Sequence, residues 1–229
     1  MNTSRQYGFT LWELLMTLLV AGILLGIGVP NVMEFTRNAS MTAAANDLVT
    51  ATILARTEAV KRQAPVTLCL SDNPTAATPT CSPGAVANSA TRGIVVFVDE
   101  NNNVDANGAR ILTDATDGNA VIDAGELVLS QTAAPGANSV VRVSANCGYV
   151  SYSPSGFTRQ VTGLACPGTR LVLLCDDRGR RVAAGALSSA RVVRTPAAGR
   201  ADALSEVTQV NTLFTVLTAV QGVAAVCPP

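Results

Sequence analysis

The stretch that decides the fold is GFTLWELLMTLLVAGILLGIGVP, residues 8–30 of a 229-residue chain. From Leu14 to Val29 it is uncharged and apolar, and Pro30 follows at once. Counted from Phe9, at about 1.5 Å per helical residue, it is long enough to cross a bilayer core of about 30 Å. No small-residue cleavage site follows the apolar run, which disfavours an ordinary secretory signal. The segment therefore predicts a membrane-spanning helix.

Glu13 lies at the edge of this apolar run, where an ionised carboxylate in lipid is costly and usually functional. No Lys or Arg lies near it on the segment that follows Gly8. Cleavage after Gly8 would create an α-amino group on Phe9, and this group would supply a positive charge at a similar depth. A plain membrane anchor is the simpler alternative, but it leaves the carboxylate unexplained.

GFTLWELL at residues 8–15 resembles the prepilin signature G-F-T-L-x-E-L of type IV pilins. The resemblance implies that prepilin peptidase cleaves between Gly8 and Phe9 and that Phe9 is then N-methylated. It also implies that Glu13 acts in filament assembly by meeting the Phe9 amine of a neighbouring subunit. Trp12 departs mildly from the pattern, because an aliphatic residue is usual there.

This reading divides the chain into five parts and predicts an α+β fold, with a long N-terminal helix packed on a C-terminal antiparallel β-sheet head. Pro30 lies where members of the family bend or break the helix, in keeping with its missing N–H. The predicted parts are a leader at 1–8, a transmembrane helix at 9–30, its amphipathic continuation at 31–64, a β-rich head at 65–202 and an apolar tail at 203–229.

Helical spacing of apolar residues continues from Val32 to Gln63, and Pro65 stops it. The phrase ARTEAVKRQAPVTLC, residues 55–69, resembles the one that joins the long helix to the first strand in the FimT/FimU and GspH group of minor pilins and pseudopilins. The predicted apolar stripe is Val32, Phe35, Ala39, Ala43, Leu48, Ala51, Leu54, Ala55 and Val60. The predicted exposed face carries Arg56, Glu58, Lys61 and Arg62.

Beyond Pro65 the pattern changes to short strands with turn-rich gaps. The phrases GIVVFVDENNN, DAGELVL, YSPSGF and LVLLCDDRGR resemble those of FimU-like heads. In the tail, apolar residues at every third or fourth position favour an amphipathic helix, while abundant Thr and Val leave a strand open. Strands are predicted at 66–70, 93–99, 127–130, 140–143, 149–151 and 170–174.

Six cysteines without a C-x-x-C pair favour disulfides in an oxidising compartment over a zinc ribbon or a redox motif. They allow 15 pairings, and the sequence alone does not choose between them. The pairing we prefer rests on proximity, a hairpin and the need to tie down the tail: Cys69–Cys81, Cys147–Cys166 and Cys175–Cys227.

The chain contains no histidine, which removes Ser-His-Asp and Cys-His catalysis and almost every catalytic zinc site. Without a nucleophile–base pair, an enzyme is disfavoured and no catalytic residue is predicted. A formal net charge of zero excludes a globally basic nucleic-acid binder but leaves local patches open.

The acidic loop from Asp99 to Glu126 contains a spacing that resembles the oxygen-ligand positions of an EF-hand calcium loop. The first ligand position lacks a charge, the last is shorter than Glu, and Asn, Asp and Gly are also the residues of an ordinary hairpin loop. We therefore predict a solvated loop without a cofactor, and calcium is the alternative. The candidate calcium ligands are Asn103, Asp105, Asn107 and Asp114.

Residues 170–200 hold seven arginines and two aspartates, and arginine favours bidentate contacts with phosphate or carboxylate. Some minor pilins of this kind bind DNA through a C-terminal G-R-x-R motif. The matching segment here, residues 199–202, has Asp202 in place of the second arginine. A neighbouring subunit's acidic loop is the alternative partner. The candidate DNA contacts are Arg178, Arg180, Arg181 and Arg200.

The leading hypothesis is a minor type IV pilin near the pilus tip, which primes assembly by anchor-helix packing and head-to-head contacts with other minor pilins. A DNA-binding minor pilin for natural transformation and an H-type pseudopilin of type II secretion are the alternatives. The implied partners are other minor pilins, the major pilin, prepilin peptidase, the inner membrane and, for the second hypothesis, DNA. The implied location is the inner membrane, with a single span and a periplasmic head, and later the pilus on the cell surface.

Overall fold

A computed structural model describes residues 9–100, 117–135, 141–164, 166, 168–179, 187–206, 209–213 and 215. The chain divides into two compact units, Met1–Ala39 and Ser40–Pro229. Helix α1 (Leu11–Arg62) contributes to both units. The predicted leader lies outside the described residues.

The start of α1 in the first unit is capped by Thr10. The Leu14 N–H donates to the Thr10 carbonyl at 3.1 Å, and the Glu13 N–H donates to Thr10 Oγ1 at 3.3 Å. Thr10-x-x-Glu13 is the sequence pattern of a capping box, and an acidic residue in the first turn also interacts favourably with the helix dipole. The cap uses the backbone N–H of Glu13, and its carboxylate contributes only by lying in the first turn, near the positive end of the helix dipole.

Pro30 lies inside α1, and the helix continues without interruption to Arg62. The predicted break at Pro30 is therefore wrong as a helix end. Proline removes only one N–H, the one that would have bonded to the Gly26 carbonyl, so the helix loses a single bond. One residue later, the Asn31 side-chain amide donates to the Ile27 carbonyl at 3.1 Å.

The second unit consists of the last turns of α1 and two antiparallel sheets, which confirms the predicted α+β fold. The sheet orders are β4-β3-β1-β6-β7 and β10-β9-β8-β5-β2, five strands each. The strands are β1 (Val66–Ser71), β2 (Val86–Ser89), β3 (Gly93–Val98), β4 (Leu127–Thr132), β5 (Arg142–Ala145), β6 (Tyr149–Tyr152), β7 (Thr158–Arg159), β8 (Arg170–Cys175), β9 (Leu187–Thr195) and β10 (Asp202–Glu206).

The six predicted strands are present as β1, β3, β4, β5, β6 and β8. Four strands were not predicted: β2, β7, β9 and β10. Strand β10 covers residues 203–206, which the sequence analysis gave to the tail, and residues 209–213 are helical. The open choice between strand and helix is therefore resolved as a strand followed by a helical segment, within the part of the tail that the structure describes.

The main core lies between α1 and the inner faces of both sheets, and alternation along each strand selects its members. Val66, Leu68 and Leu70 of β1 join Val172 and Leu174 of β8 in this core. Cys69 of β1 and Leu173 of β8, which lie between these residues, face outward into two smaller clusters. The two sheets therefore share one core under the helix.

The face of α1 that packs on the sheets differs from the predicted stripe. Ala43 is exposed and Val60 is 45% exposed, although both were expected to be buried. Five of the eight buried positions of α1 are alanines, which let the backbone approach the sheets closely, whereas Ile53 is left outside. The buried positions are Met41, Ala44, Ala45, Leu48, Ala51, Thr52, Ala55 and Ala59.

The outer face of each sheet carries its own small core. Leu171, Leu173 and Val192 pack with Val210 of the helical segment after β10. The outer face of the other sheet includes Phe97 among its buried residues, together with the cysteines of two disulfides. Loops and the tail therefore cover surfaces that the sheets alone would leave exposed.

Two of the three predicted disulfides are confirmed. Cys69–Cys81 and Cys147–Cys166 are bonded, with Cα–Cα distances of 5.6 and 5.7 Å. Cys175 is also disulfide-bonded, and its predicted partner, Cys227, lies outside the described residues.

Candidate functional site

The anchor half of α1 presents apolar side chains to its surroundings along its whole length. The large apolar residues from Phe9 to Val29 are 46% to 79% exposed. By length and composition, α1 is able to cross a membrane. A helix that is apolar all round requires a lipid environment or other helices around it.

Glu13 is the only charged residue from Phe9 to Val29. Its carboxylate makes no hydrogen bond or ion pair within the part of the chain that the structure describes. A carboxylate beside such an apolar surface is costly without a cationic partner. Within the described residues, Glu13 is therefore available to a further partner.

The arginines that the structure describes between residues 170 and 200 do not form one basic patch. Arg170 is buried, and its guanidinium donates to the Arg159 carbonyl at 2.8 Å, to Thr158 Oγ1 at 3.2 Å and to the Gly168 carbonyl at 3.3 Å. These bonds tie β8 of one sheet to β7 of the other, and burial lowers the pKa of Arg170. This residue is structural.

Arg178 is used in a tight turn. Its Nη2 lies 2.6 Å from Asp176 Oδ2, and the two side chains are only 12% and 4% exposed. The Gly179 N–H closes the turn on the Asp176 carbonyl at 3.0 Å. Arg178 is thus neutralised and shielded, which counts against a role in binding DNA. Arg180 and Arg181 lie outside the described residues.

Arg194 pairs with Asp202 across the β9–β10 register. Arg194 Nη2 and Nε donate to Asp202 Oδ2 and Oδ1 at 2.8 and 3.2 Å. Asp202 is the residue that replaces the second arginine of the G-R-x-R pattern. The replacement therefore removes one cation and neutralises another.

Arg200 is exposed and faces a groove of ≈ 650 Å³ beside the C-terminal turns of α1. Arg56 of the helix lines the same groove. Neither guanidinium has a hydrogen bond or an ion pair among the described residues. Arg56 was predicted only as part of an exposed helical face, because no local pattern links it to Arg200.

A fixed turn holds Arg200 in this position. The Gly199 N–H donates to the Pro196 carbonyl at 2.8 Å, and the Tyr152 hydroxyl donates to the Gly199 carbonyl at 3.0 Å. Gly199 has a φ of +79°, and a Cβ there would lie 2.6 Å from the Gly156 carbonyl oxygen. Only glycine fits this turn without strain.

The acidic loop returns to the sheet through Asp99. This buried carboxylate accepts hydrogen bonds from Thr67 Oγ1 at 2.6 Å and from the N–H groups of Asn119 and Ala120 at 3.1 and 3.0 Å. Burial nevertheless raises its pKa. These bonds explain why an aspartate follows β3: it anchors the returning chain.

The predicted calcium ligands cannot be located in the structure. Asn103, Asp105, Asn107 and Asp114 all lie outside the described residues, so calcium binding there stays a prediction. Among the residues that are described, no group of three or more His, Cys, Asp or Glu side chains is arranged to hold a metal ion.

Residues 44–199 match the family model described as type II transport protein GspH. The chain belongs to the GspH family. The match runs from the buried part of α1 through β9 to Gly199. It therefore supports the resemblance that the phrase at residues 55–69 indicated, and GspH-family membership makes the chain a pilin-like structural protein.

Solved structures similar to this GspH-family chain include two crystal forms of the type IV minor pilin FimU from Pseudomonas aeruginosa. One is 14% identical, with 76% of this chain and 94% of that chain covered and a TM-score of 0.40. The other is 13% identical, with 71% and 91% covered and a TM-score of 0.38. No curated protein sequence matches the chain.

Proposed function

We propose that this chain is a minor pilin of a type IV pilus that primes filament assembly through its anchor helix. Prepilin peptidase removes residues 1–8, and the methylated Phe9 amine of one subunit pairs with Glu13 of its neighbour. The observation that carries the proposal is the carboxylate of Glu13, which has no partner among the described residues. The prepilin signature and membership of the GspH family support the same conclusion.

The head of the subunit contacts other minor pilins and the major pilin near the tip of the filament. Before assembly the head lies in the periplasm, an oxidising compartment in which its two described disulfides can form. The apolar anchor holds the precursor in the inner membrane until it enters the filament. The chain acts as a structural subunit without catalysis. An H-type pseudopilin of a type II secretion system is the alternative, and genomic neighbours distinguish it.

The test replaces Glu13 with Val in the native host and measures the amount of this subunit in sheared pili by immunoblot. We expect normal cleavage after Gly8, confirmed by mass spectrometry of a methylated Phe9 terminus, but loss of the subunit from pili. Glu34→Gln is the matched control, because Glu34 is another exposed carboxylate on the same helix. Normal incorporation of Glu13→Val into pili would refute the proposal.

A further inference from the structure

The groove between the end of α1 and the Gly199 turn combines apolar and basic side chains. Ile53 and Val60, two turns apart on α1, are 55% and 45% exposed there. Arg56, Lys61 and Arg200 supply the charges. Exposed aliphatic residues framed by cations are typical of a surface that binds a partner.

The charges of this groove are not balanced from within. No carboxylate lines it, and Arg56 and Arg200 have no partner among the described residues. The nearest acid along the helix is Glu58, which lies 3.3 Å from Lys61 Nζ and 2.6 Å from Arg62 Nε. Two guanidinium groups therefore remain for external acceptors, and their forked donors match carboxylates.

We propose that this groove is the docking site for an acidic, partly apolar peptide segment on the head of a neighbouring pilin subunit. Two carboxylates of the segment bind Arg56 and Arg200, and an aliphatic side chain between them covers Ile53 and Val60. The inference rests on the proposed role as a filament subunit, because that role brings another head alongside this one.

The lining favours a peptide over a nucleic acid. Sequence-tolerant binding of single strands uses aromatic side chains for base stacking, together with a positive groove that follows the backbone. Here the groove offers no aromatic side chain, and its apolar part is aliphatic. A phosphate backbone would leave Ile53 and Val60 without an apolar partner, whereas a mixed acidic and aliphatic segment satisfies both parts.

The groove is also held in place before any partner arrives. Arg56 stands on a helix, and Arg200 directly follows the hydrogen-bonded turn at Gly199. Gly156 brings the β6–β7 turn against the helix, since a Cβ there would lie 3.2 Å from Val60 Cγ2. A preformed site lowers the ordering cost of binding.

The experiment measures fluorescence polarisation of a labelled acidic peptide, GDLVEDLVEG, on titration with the purified full chain in detergent. The matched neutral peptide is GNLVQNLVQG. We expect the acidic peptide to bind and the neutral one to bind at least about tenfold more weakly, because the pairing is ionic. Binding of the acidic peptide should weaken as salt rises, since salt screens exposed charges.

Substitutions then locate the site. Arg56→Glu and Arg200→Glu should each weaken acidic-peptide binding by about tenfold or more, whereas Arg142→Glu, on an exposed arginine of β5, should leave it unchanged. Val60→Ser keeps the charges and should weaken binding by about three- to tenfold through lost apolar contact. Circular dichroism of each variant checks that it is folded.

Three results would overturn the inference. Equal binding of the acidic and neutral peptides would show that binding does not depend on ion pairs. Equal effects of Arg200→Glu and Arg142→Glu would show that the peptide does not bind in the groove. Binding of an oligothymidine probe, sensitive to Arg56 and Arg200, with no peptide binding would assign the groove to nucleic acid. Because the assay uses isolated chains, failure here leaves the Glu13 assembly test untouched, and failure of that test leaves peptide binding measurable.

Discussion

Replacing Glu126 with Gln should stabilise the head at alkaline pH and have little effect near pH 5. Burial is the largest cause that raises the pKa of Glu126 to about 8, and the nearby carboxylates of Asp99, Asp123 and Asp117 raise it further. The Asp123 N–H donates to Glu126 Oε2 at 2.9 Å and opposes the shift. Glu126 Oε1 is buried without a hydrogen bond from any described residue.

The sign follows from proton binding. The pKa of Glu126 is about 8 in the folded head against an ordinary 4.5, so the folded state binds more protons between these values. The free energy of unfolding therefore falls as pH rises through this window, and the loss is complete above about pH 8. One pKa unit corresponds to about 1.4 kcal/mol, and solvent access to this half-buried side chain reduces the total to about 2 kcal/mol.

The assay is urea unfolding of the full chain in detergent, at several values between about pH 5 and about pH 9. Near-ultraviolet circular dichroism of the buried Tyr149 and Tyr152 reports on the head, because the single tryptophan, Trp12, lies in the anchor. We expect Glu126→Gln to flatten the fall in stability with pH. Asp99, whose pKa is also raised by burial, contributes a residual slope of the same sign.

Glu58→Gln is the control of opposite sign. A hydrogen bond from Arg62 is the largest cause that lowers the pKa of Glu58. Its contribution to stability is therefore present above its ordinary pKa and lost as pH falls, so the variant should gain nothing at alkaline pH. If Glu126→Gln and the parent chain lost the same unfolding free energy between about pH 5 and about pH 9, the proposal that Glu126 is buried as a neutral carboxyl would be refuted.

Three further changes test the head. Arg170→Lys should cost about 3 kcal/mol of unfolding free energy, because lysine cannot replace all the hydrogen bonds of the buried guanidinium. Arg194→Lys should cost less than about 1 kcal/mol, because the side chains of the Arg194–Asp202 pair are 44% and 35% exposed. Equal losses would contradict the structural role of Arg170. Replacing both Cys147 and Cys166 with Ser should cost about 3 kcal/mol by freeing a loop with a sequence separation of 19, and an unchanged urea midpoint under oxidising conditions would count against it. Gly199→Ala should cost about 1–3 kcal/mol through backbone strain and weaken acidic-peptide binding, and unchanged stability would refute the strained turn.

The parts of the fold that were predictable are those with strong local signals. The β-branched run of β3 and the alternation in β1 identified two central strands, and short sequence separation identified the Cys69–Cys81 bond. Strand β9 was not predicted, because its arginines indicated a charged surface segment. Val192 and Val193 nevertheless face opposite sides of the sheet and are buried in two different cores.

The face of α1 was harder to predict for a physical reason. Alanine is apolar enough to be buried on any side, so an alanine-rich helix offers several candidate stripes. The choice is made by closeness of approach: Ala44, Ala51 and Ala55 face the sheets, and Ile53 remains outside. Ile53 and Val60 lie outside the packed face and form the apolar half of the proposed docking groove.

The charges of that groove could not be predicted from sequence spacing, because Arg56 and Arg200 are far apart in the sequence and only the fold brings them to one groove. The number of arginines in the sequence suggested one basic stretch. In the structure, Arg194 pairs with Asp202 across the strand register, and Arg178 pairs with Asp176 in a tight turn. What remains in the groove is Arg200, joined by Arg56 of the helix. A polyanion gains affinity from many phosphate contacts and the counterions they release, so two fixed guanidiniums beside aliphatic residues select a short acidic peptide instead.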